Sequence, residues 1–231
     1  MKRGSSRKHL VLLLALIGTL MAQSMLVHSG RAVLEGARAA LCVLYLYVFY
    51  IVFGRDWERR IALVLFLPVL ASNLAISALG VSRLEMPLEV LYHSSVIVFL
   101  GFAVRVIMAD LFSARVIGGD DVLGAVCGYI LGGLAWSHLY AMAYLFAPGA
   151  FEVDSAIVPQ IADWHIRQSL FDYLSFTTLT SIGYSDITPV GPPLYSLMWL
   201  EVMFGQFYMA VVVAQLVGLK LAQAVRHSAE E

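Results

Sequence analysis

Long uncharged stretches of apolar residues alternate with short charged segments along most of the chain. The hydrocarbon core of a bilayer, roughly 30 Å thick, requires about 20 apolar residues per helix. The pattern predicts six membrane-spanning helices: Leu10–Val27, residues 39–54, residues 61–82, Val90–Met108 with Arg105 inside it, Val122–Phe151, and a last one from about Pro193 to Leu219 with Glu201 inside it. An all-α membrane protein follows from this pattern.

The first stretch has a second interpretation. It follows the basic segment Met1–His9 and ends near Ala22-Gln23-Ser24, which resembles a cleavage site, so a secretory signal peptide is an alternative. The apolar run is longer than the usual central region of a signal peptide. We therefore take Leu10–Val27 as a retained span, and cleavage would leave the topology of the other five unchanged.

The composition agrees with a bilayer environment. Of 231 residues, 60% are hydrophobic and 13% are charged, whereas soluble domains have about 45–50% apolar and about 25% charged residues. A net charge of −1 argues against a general nucleic-acid-binding surface. The two cysteines, Cys42 and Cys127, have neither metal-ligand nor disulfide spacing. Lipid is therefore a predicted partner, and neither nucleic acid nor a soluble partner is predicted.

The basic residues predict the orientation. With the N-terminus in the cytoplasm, the cytoplasmic side holds most of them: Lys2, Arg3, Arg7, Lys8, Arg55, Arg59, Arg60, Arg105, Arg115, Lys220 and Arg226. The other side holds Arg31, Arg38, Arg83 and Arg167. By the positive-inside rule both termini are cytoplasmic. The short loops suit a bacterial cytoplasmic membrane. The acidic segment Glu152–Thr188 then faces outwards, either attracting cations or serving as an ordinary solvated loop.

That outer segment contains the most informative sequence in the chain. From Phe171 it reads F-D-Y-L-S-F-T-T-L-T-S-I-G-Y-S-D-I-T-P. Its apolar and aromatic residues predict a short helix of about three turns that ends near Leu179. Irregular backbone is not tolerated against lipid, so residues Thr180–Ser185 are expected among neighbouring helices or along an aqueous path. The whole segment is predicted to re-enter the membrane between the fifth and sixth spans.

These residues resemble the pore signature of potassium channels. The family pattern is roughly T-x-T-T-V-G-Y-G-D, and Thr178 to Asp186 reads T-L-T-S-I-G-Y-S-D. The resemblance covers the last two predicted spans and the loop between them, and four spans precede it, as in six-span channels. It implies a passive, potassium-selective channel rather than an enzyme. It divides the chain into residues 1–115, a four-helix region, and residues 116–231, a pore domain.

The resemblance also assigns roles to residues. Backbone carbonyls of Ser181, Ile182, Gly183 and Tyr184 would hold K⁺ in place of its hydration shell, and Thr180 and Ser185 would complete the selectivity filter. No cofactor is implied beyond the permeating K⁺. Gly183 permits backbone angles that a side chain resists. One chain supplies one filter segment and a ring needs four, so the assembly is a homotetramer.

Residues near the filter are expected to support it: Thr177, Thr178, Asp186 and Glu201. Glu201 lies inside a predicted span, where an acid is costly. It either accepts hydrogen bonds from hydroxyls such as those of Thr177 or Thr178, or faces the cavity and attracts cations. Gly205, one turn later, is either a hinge or a site of close helix packing. Gln206 and Gln215 are candidates for hydrogen bonds between helices.

Two departures from the family limit what the resemblance implies. Ser185 stands where the family has glycine. This leaves two alternatives to a potassium-selective channel: a weakly selective cation channel, and a channel-like membrane subunit that conducts nothing. The fourth span carries Arg105 alone, whereas voltage sensors carry several arginines at three-residue spacing. We therefore predict no strong voltage sensor.

A membrane serine protease is the rival from another class, with Ser185 as nucleophile and His93 or His138 as base. The segment Gly183-Tyr184-Ser185-Asp186 lacks the second glycine of the G-x-S-x-G turn. Protease chemistry also leaves the preceding hydroxyl-rich helix unexplained. We take His93, His138 and His165 as dispersed packing or surface residues, and predict no enzymatic activity.

Overall fold

A computed structural model describes residues 7–26, 46, 50, 52–79, 85–114, 117–153, 155, 161, 164–183 and 186–228. Within these ranges it contains six α-helices: α1 (Lys8–Leu26), α2 (Asp56–Leu79), α3 (Glu85–Ser113), α4 (Gly119–Phe146), α5 (Trp164–Leu179) and α6 (Pro192–Ser228). A 3₁₀ turn, Pro148–Ala150, follows α4, and two short strands, β1 (Phe151–Val153) and β2 (Ile187–Pro189), lie on either side of α5.

Four helices in the described ranges are long and apolar enough to cross a membrane: α2, α3, α4 and α6. They correspond to the third, fourth, fifth and sixth predicted spans. The apolar part of α1, Lys8–Ala22, is shorter. The second predicted span, residues 39–54, lies largely outside the described residues, so six spans stay a prediction. Helix α5 ends at Leu179 as expected, but its 16 residues exceed the predicted three turns.

Helix α4 is the centre of the fold and packs against α1, α3, α5 and α6. Its contact with α1 includes His9, whose Nδ1 lies 2.9 Å from Asp120 Oδ2 at the start of α4. The main apolar core joins α1, α2, α3 and α4 and includes Leu12, Phe66, Phe99 and Leu131. This core crosses the predicted domain boundary at residue 115, and the division into two regions stays a prediction.

Three glycines spaced by four residues lie on one face of α4 and allow this packing. A β-carbon added to Gly124 would lie 3.2 Å from the His9 ring, and one added to Gly128 would lie 2.5 Å from the Tyr208 hydroxyl. At Gly132 the neighbour is Phe204, at 2.7 Å. Small residues of this kind let helices in membranes approach closely.

The strands β1 and β2 join the two ends of the segment that contains α5. They pair antiparallel, with Phe151 opposite Pro189 and Val153 opposite Ile187. Both pack on a second apolar cluster, which includes Phe151, Ile187, Tyr140 of α4 and Phe171 of α5. The chain therefore leaves α4, forms α5 and the residues after it, and returns to the same place before α6 begins.

Candidate functional site

The last turn of α5 ends in a compact hydrogen-bonded cap. The Ser181 N–H donates to the Thr178 carbonyl at 2.9 Å, and the Ile182 N–H donates to the Thr177 carbonyl at 2.8 Å. Together with a φ of 61° at Ser181, these two bonds form a Schellman motif. Glycine usually occupies the left-handed position of this motif, and a residue with a β-carbon pays about 1–2 kcal/mol there.

This cap fixes the direction of successive peptide groups. The Gly183 N–H also donates to the Thr177 carbonyl, at 3.1 Å. A trans peptide directs its C=O and its N–H to opposite sides, and the described residues contain no cis peptide. The carbonyls of Thr180, Ser181 and Ile182, which precede these three N–H groups, therefore point away from the last turn of α5.

The residues of this segment lie at the surface of the single chain. Thr180, Ser181, Ile182 and Gly183 are all exposed, and Gly183 has a φ of 83°, in the left-handed region that glycine tolerates. Tyr184 and Ser185 lie outside the described residues. Their part in the filter, and the ring of carbonyls itself, stay predictions.

The supporting residues occupy different environments. Thr177 and Thr178 are buried, whereas Asp186 is exposed. The Thr177 hydroxyl lies 2.9 Å from the Tyr173 carbonyl, and the Thr180 hydroxyl donates to the Phe176 carbonyl at 2.6 Å. Both hydroxyls therefore bond to the carbonyls of their own helix, and Thr177 does not bond to Glu201.

Glu201 joins three helices behind the end of α5. Its side chain is fully buried, at 0% exposure. Its Oε2 accepts a hydrogen bond from the Tyr140 hydroxyl of α4 at 2.6 Å, and its Oε1 lies 2.5 Å from the Ser175 hydroxyl of α5. A hydroxyl of α5 thus contacts this acid as expected, but it is Ser175 rather than Thr177 or Thr178. The carboxyl group faces helices of its own chain.

The number of available protons favours the neutral form of this acid. The Ser175 oxygen lies 2.7 Å from the Gly133 carbonyl as well as 2.5 Å from Glu201. Serine has one hydroxyl proton, so the two contacts are separate two-centre hydrogen bonds only if Glu201 carries a proton on Oε1 and donates it to Ser175. A neutral acid also avoids the cost of an unpaired charge inside the membrane.

A second set of polar contacts holds the start of α5. The carboxylate of Asp172 accepts hydrogen bonds from the Ser137 hydroxyl of α4 at 2.6 Å and from the Gln168 amide at 2.9 Å. Arg167 forms an ion pair with Glu89 of α3, and both side chains are largely buried. Sequence reasoning missed these contacts. The sequence does contain a pattern that indicates them: the polar residues Gln168, Asp172 and Ser175 recur at helical spacing on one face of α5.

The histidines are not all dispersed. His93 of α3 and His138 of α4 are both buried, and their Nδ1 atoms lie 2.8 Å apart. One ring therefore donates its Nδ1 proton to the other. Both are buried, as predicted for packing residues, but they are not dispersed. Their 45-residue separation in sequence hid the contact between α3 and α4.

Helix α6 meets the end of α5 at Gly205 and Gln206. A β-carbon added to Gly205 would clash with the Leu179 carbonyl oxygen, which also accepts a hydrogen bond from the Tyr129 hydroxyl at 3.2 Å. The Gln206 amide donates to the Ser181 hydroxyl at 3.0 Å. Helix α6 continues through Gly205, so close packing explains this glycine here, and its role as a hinge stays a prediction.

Comparison with known proteins adds one finding. Residues 139–219 match the family model described as "Ion channel". This part of the chain is therefore similar to an ion-channel domain. It contains the end of α4, both strands, all of α5 and most of α6, and therefore Ser181, Glu201 and Gly205. Ion channels are transport proteins, and the long apolar helices agree with a membrane protein. No curated protein and no solved structure matches the chain.

Proposed function

We propose that the chain forms a homotetrameric, potassium-selective passive cation channel. Thr180, Ser181, Ile182, Gly183, Tyr184 and Ser185 line its filter, and Ser181 to Tyr184 bind K⁺ through backbone carbonyls. Both termini lie in the cytoplasm, and the membrane is a cytoplasmic cell membrane. Permeating K⁺ is its only bound ion, and no cofactor takes part.

The observation that carries this proposal is the direction of the peptide groups after α5. The N–H groups of Ser181, Ile182 and Gly183 bond to carbonyls of α5, so the carbonyls of the preceding residues point away from this helix. The segment is exposed in the single chain. Oxygens arranged in this way can replace the water around a cation. The C-terminal end of α5 adds the negative end of a helix dipole, which favours a cation nearby.

The exposed surface of α6 supports the tetramer. Only 11% of its most apolar stretch is buried within the chain. Large apolar side chains are exposed along it: Met203, Phe207, Met209, Val211, Val213, Val217, Leu221 and Val225. Such a surface needs lipid or protein beside it. Four copies around one axis would cover part of α6 and bring four filter segments together in closed symmetry.

The remaining site residues hold this geometry in the proposed channel. Thr177 and Thr178 belong to the buried side of α5 that carries the cap, and the Thr177 carbonyl anchors two N–H groups of the filter. Glu201 fixes α5 to α4 and α6. Asp186 follows the filter at its outer end, and Gly205 is the point at which α6 could bend to open the pore.

The experiment that tests the proposal is ion flux into liposomes that contain the purified protein, with its mass in detergent measured in parallel. We expect a tetramer and a K⁺ flux at least tenfold above the Na⁺ flux. Comparable fluxes of the two ions would favour the weakly selective channel. A tetramer that passes neither ion would favour the non-conducting subunit, and a monomer would contradict the proposed pore.

Two glycine substitutions sharpen this test. Gly183→Ala places a β-carbon at a left-handed position and is expected to abolish K⁺ flux, since the filter backbone can no longer adopt its angles. Gly101→Ala is the matched control, because it lies inside α3 with open space around it. Ser185→Gly restores the family residue and is expected to preserve or raise the K⁺/Na⁺ ratio. Normal flux in Gly183→Ala would count against the filter assignment.

A further inference from the structure

Ser181 holds an unusual backbone conformation at the boundary between α5 and the proposed filter. Residues with a β-carbon are uncommon at positive φ, and they persist there when several contacts hold them. Two of these contacts belong to the cap itself, through the N–H groups of Ser181 and Ile182. The third comes from another helix, where the Gln206 amide donates to the Ser181 hydroxyl at 3.0 Å.

The position of Gln206 depends on the residue before it. Gly205 is buried and lets the backbone of α6 come against the Leu179 carbonyl, where any β-carbon would clash. This contact brings α6 to the last turn of α5, and Gln206 follows at once in sequence. The pair Gly205-Gln206 therefore combines a close approach with a polar side chain at the inner end of the filter.

We propose that Gln206 is a positioning residue that sets ion discrimination at the Ser181 level of the filter. The inference deepens the proposed channel function and rests on it. An amide donor occupies one lone pair of the Ser181 oxygen and holds the side chain in one rotamer. Four hydroxyls held in this way would present oxygens at one fixed spacing to an ion that enters or leaves the cavity.

Substitutions at Gln206 separate the hydrogen bond from the size of the side chain. Gln206→Met keeps the length but has no N–H, and Gln206→Asn keeps the amide but is one methylene too short. Both are expected to lower the K⁺/Na⁺ permeability ratio about fivefold, since losing one hydrogen bond typically changes an equilibrium by that order.

The matched control is Gln215→Met, the same substitution on the same helix, about 13 Å further along. It is expected to leave the permeability ratio unchanged. All variants are measured as reversal potentials in planar bilayers under mixed K⁺ and Na⁺ gradients, with the mass of each assembly checked in detergent. The reversal potential reports discrimination between ions and does not depend on how many channels are present.

A double-mutant cycle with Ser181→Ala tests whether Gln206 acts through this serine. If it does, Gln206→Met in the Ser181→Ala background adds less than about twofold to the change in ratio. Additive effects, or a Gln206→Met or Gln206→Asn channel with the wild-type ratio, would overturn the inference while leaving the channel function intact. A wild-type protein that passes no ions would instead overturn the proposed function itself.

Discussion

Helices α4 and α6 are both long and apolar, and both contribute to the segment that matches the ion-channel family model, yet they are buried to different extents. Half of the most apolar stretch of α4 is buried within the chain, against 11% of that of α6. Helix α4 contacts four other helices, whereas the main helix contacts of α6 are with α4 and α5. Two helices of similar hydrophobicity therefore differ in their surroundings: α4 is packed inside the chain, and α6 is largely exposed on it.

The small residues explain the difference. Gly124, Gly128 and Gly132 form one face of α4 and receive side chains from α1 and α6. On α6 the corresponding close approach is confined to Gly205, and Gly218 has open space around it. Helix α4 is buried because side chains of neighbouring helices in the same chain pack against its glycines. A helix with large apolar side chains on its outer face needs another surface, either lipid or a second copy.

The largest expected effect is at Glu201, where α6 is fixed to α4 and α5. Glu201→Ala removes the partner of two buried hydroxyls, Tyr140 and Ser175, and should lower the free energy of unfolding by about 3 kcal/mol. Glu201→Gln should cost less than about 1 kcal/mol, because a neutral amide supplies the same donor and acceptor as a protonated acid. The measurement is denaturant unfolding in detergent followed by tryptophan fluorescence.

The two glutamate variants also test the proton assignment. If Glu201→Gln is as damaging as Glu201→Ala, the acid is ionised and Ser175 donates to it rather than to Gly133. Leu74→Ala, at an exposed position of α2, is the control and should change stability by less than about 0.5 kcal/mol.

An intermediate effect on stability is expected when a glycine of α4 is replaced by leucine, and the same replacement on α6 provides the comparison. Gly128→Leu on α4 must displace the Tyr208 ring and the Met108 side chain, and such overpacking costs about 2 kcal/mol. Gly218→Leu on α6 meets open space within the chain and should be nearly neutral. Thermal unfolding of both variants in detergent makes the comparison. Equal loss at Gly218 would show that a partner covers this part of α6.

The smallest expected effect on stability comes from a single hydrogen bond between α6 and α4. The buried Tyr208 hydroxyl donates to the Ala125 carbonyl of α4 at 2.6 Å. Tyr208→Phe should lower the free energy of unfolding by about 1 kcal/mol, the usual value of one buried hydrogen bond. Tyr195→Phe, on the exposed start of α6, provides the control with no expected change. Equal effects of the two variants in denaturant titrations would contradict the distinction between buried and exposed faces.

Apolar length and the pore signature predicted much of the fold. Uncharged stretches identified the helices α2, α3, α4 and α6, because a membrane span is a local property of the sequence. The end of α5 at Leu179 was also predictable, since hydroxyl and glycine residues follow it directly. The beginning of α5 was not, because the polar residues Arg167 and Gln168 precede the apolar series that predicted the helix.

The partners of the buried polar groups could not be predicted. One of the two interpretations of Glu201 was that it accepts hydrogen bonds from α5 hydroxyls such as those of Thr177 or Thr178. The structure brings it to a different α5 hydroxyl, that of Ser175, and to Tyr140 of α4. The pairing of His93 with His138, and of Glu89 with Arg167, depends on how α3 packs against α4 and α5. Such contacts join residues far apart in sequence, and no local pattern records helix rotation. The spacing of the α4 glycines by four residues is the one local pattern in this region that indicates close helix packing.

The short pairing of β1 with β2 has a mechanical consequence. Because Phe151 is held opposite Pro189, the strand that leads into α6 is tied to the strand that leaves α4. Any sideways shift at the start of α6 would have to drag β1 with it and pull on the last turn of α4. We therefore expect any movement of α6 to be largest at the end of the helix that lies farthest from the paired strands.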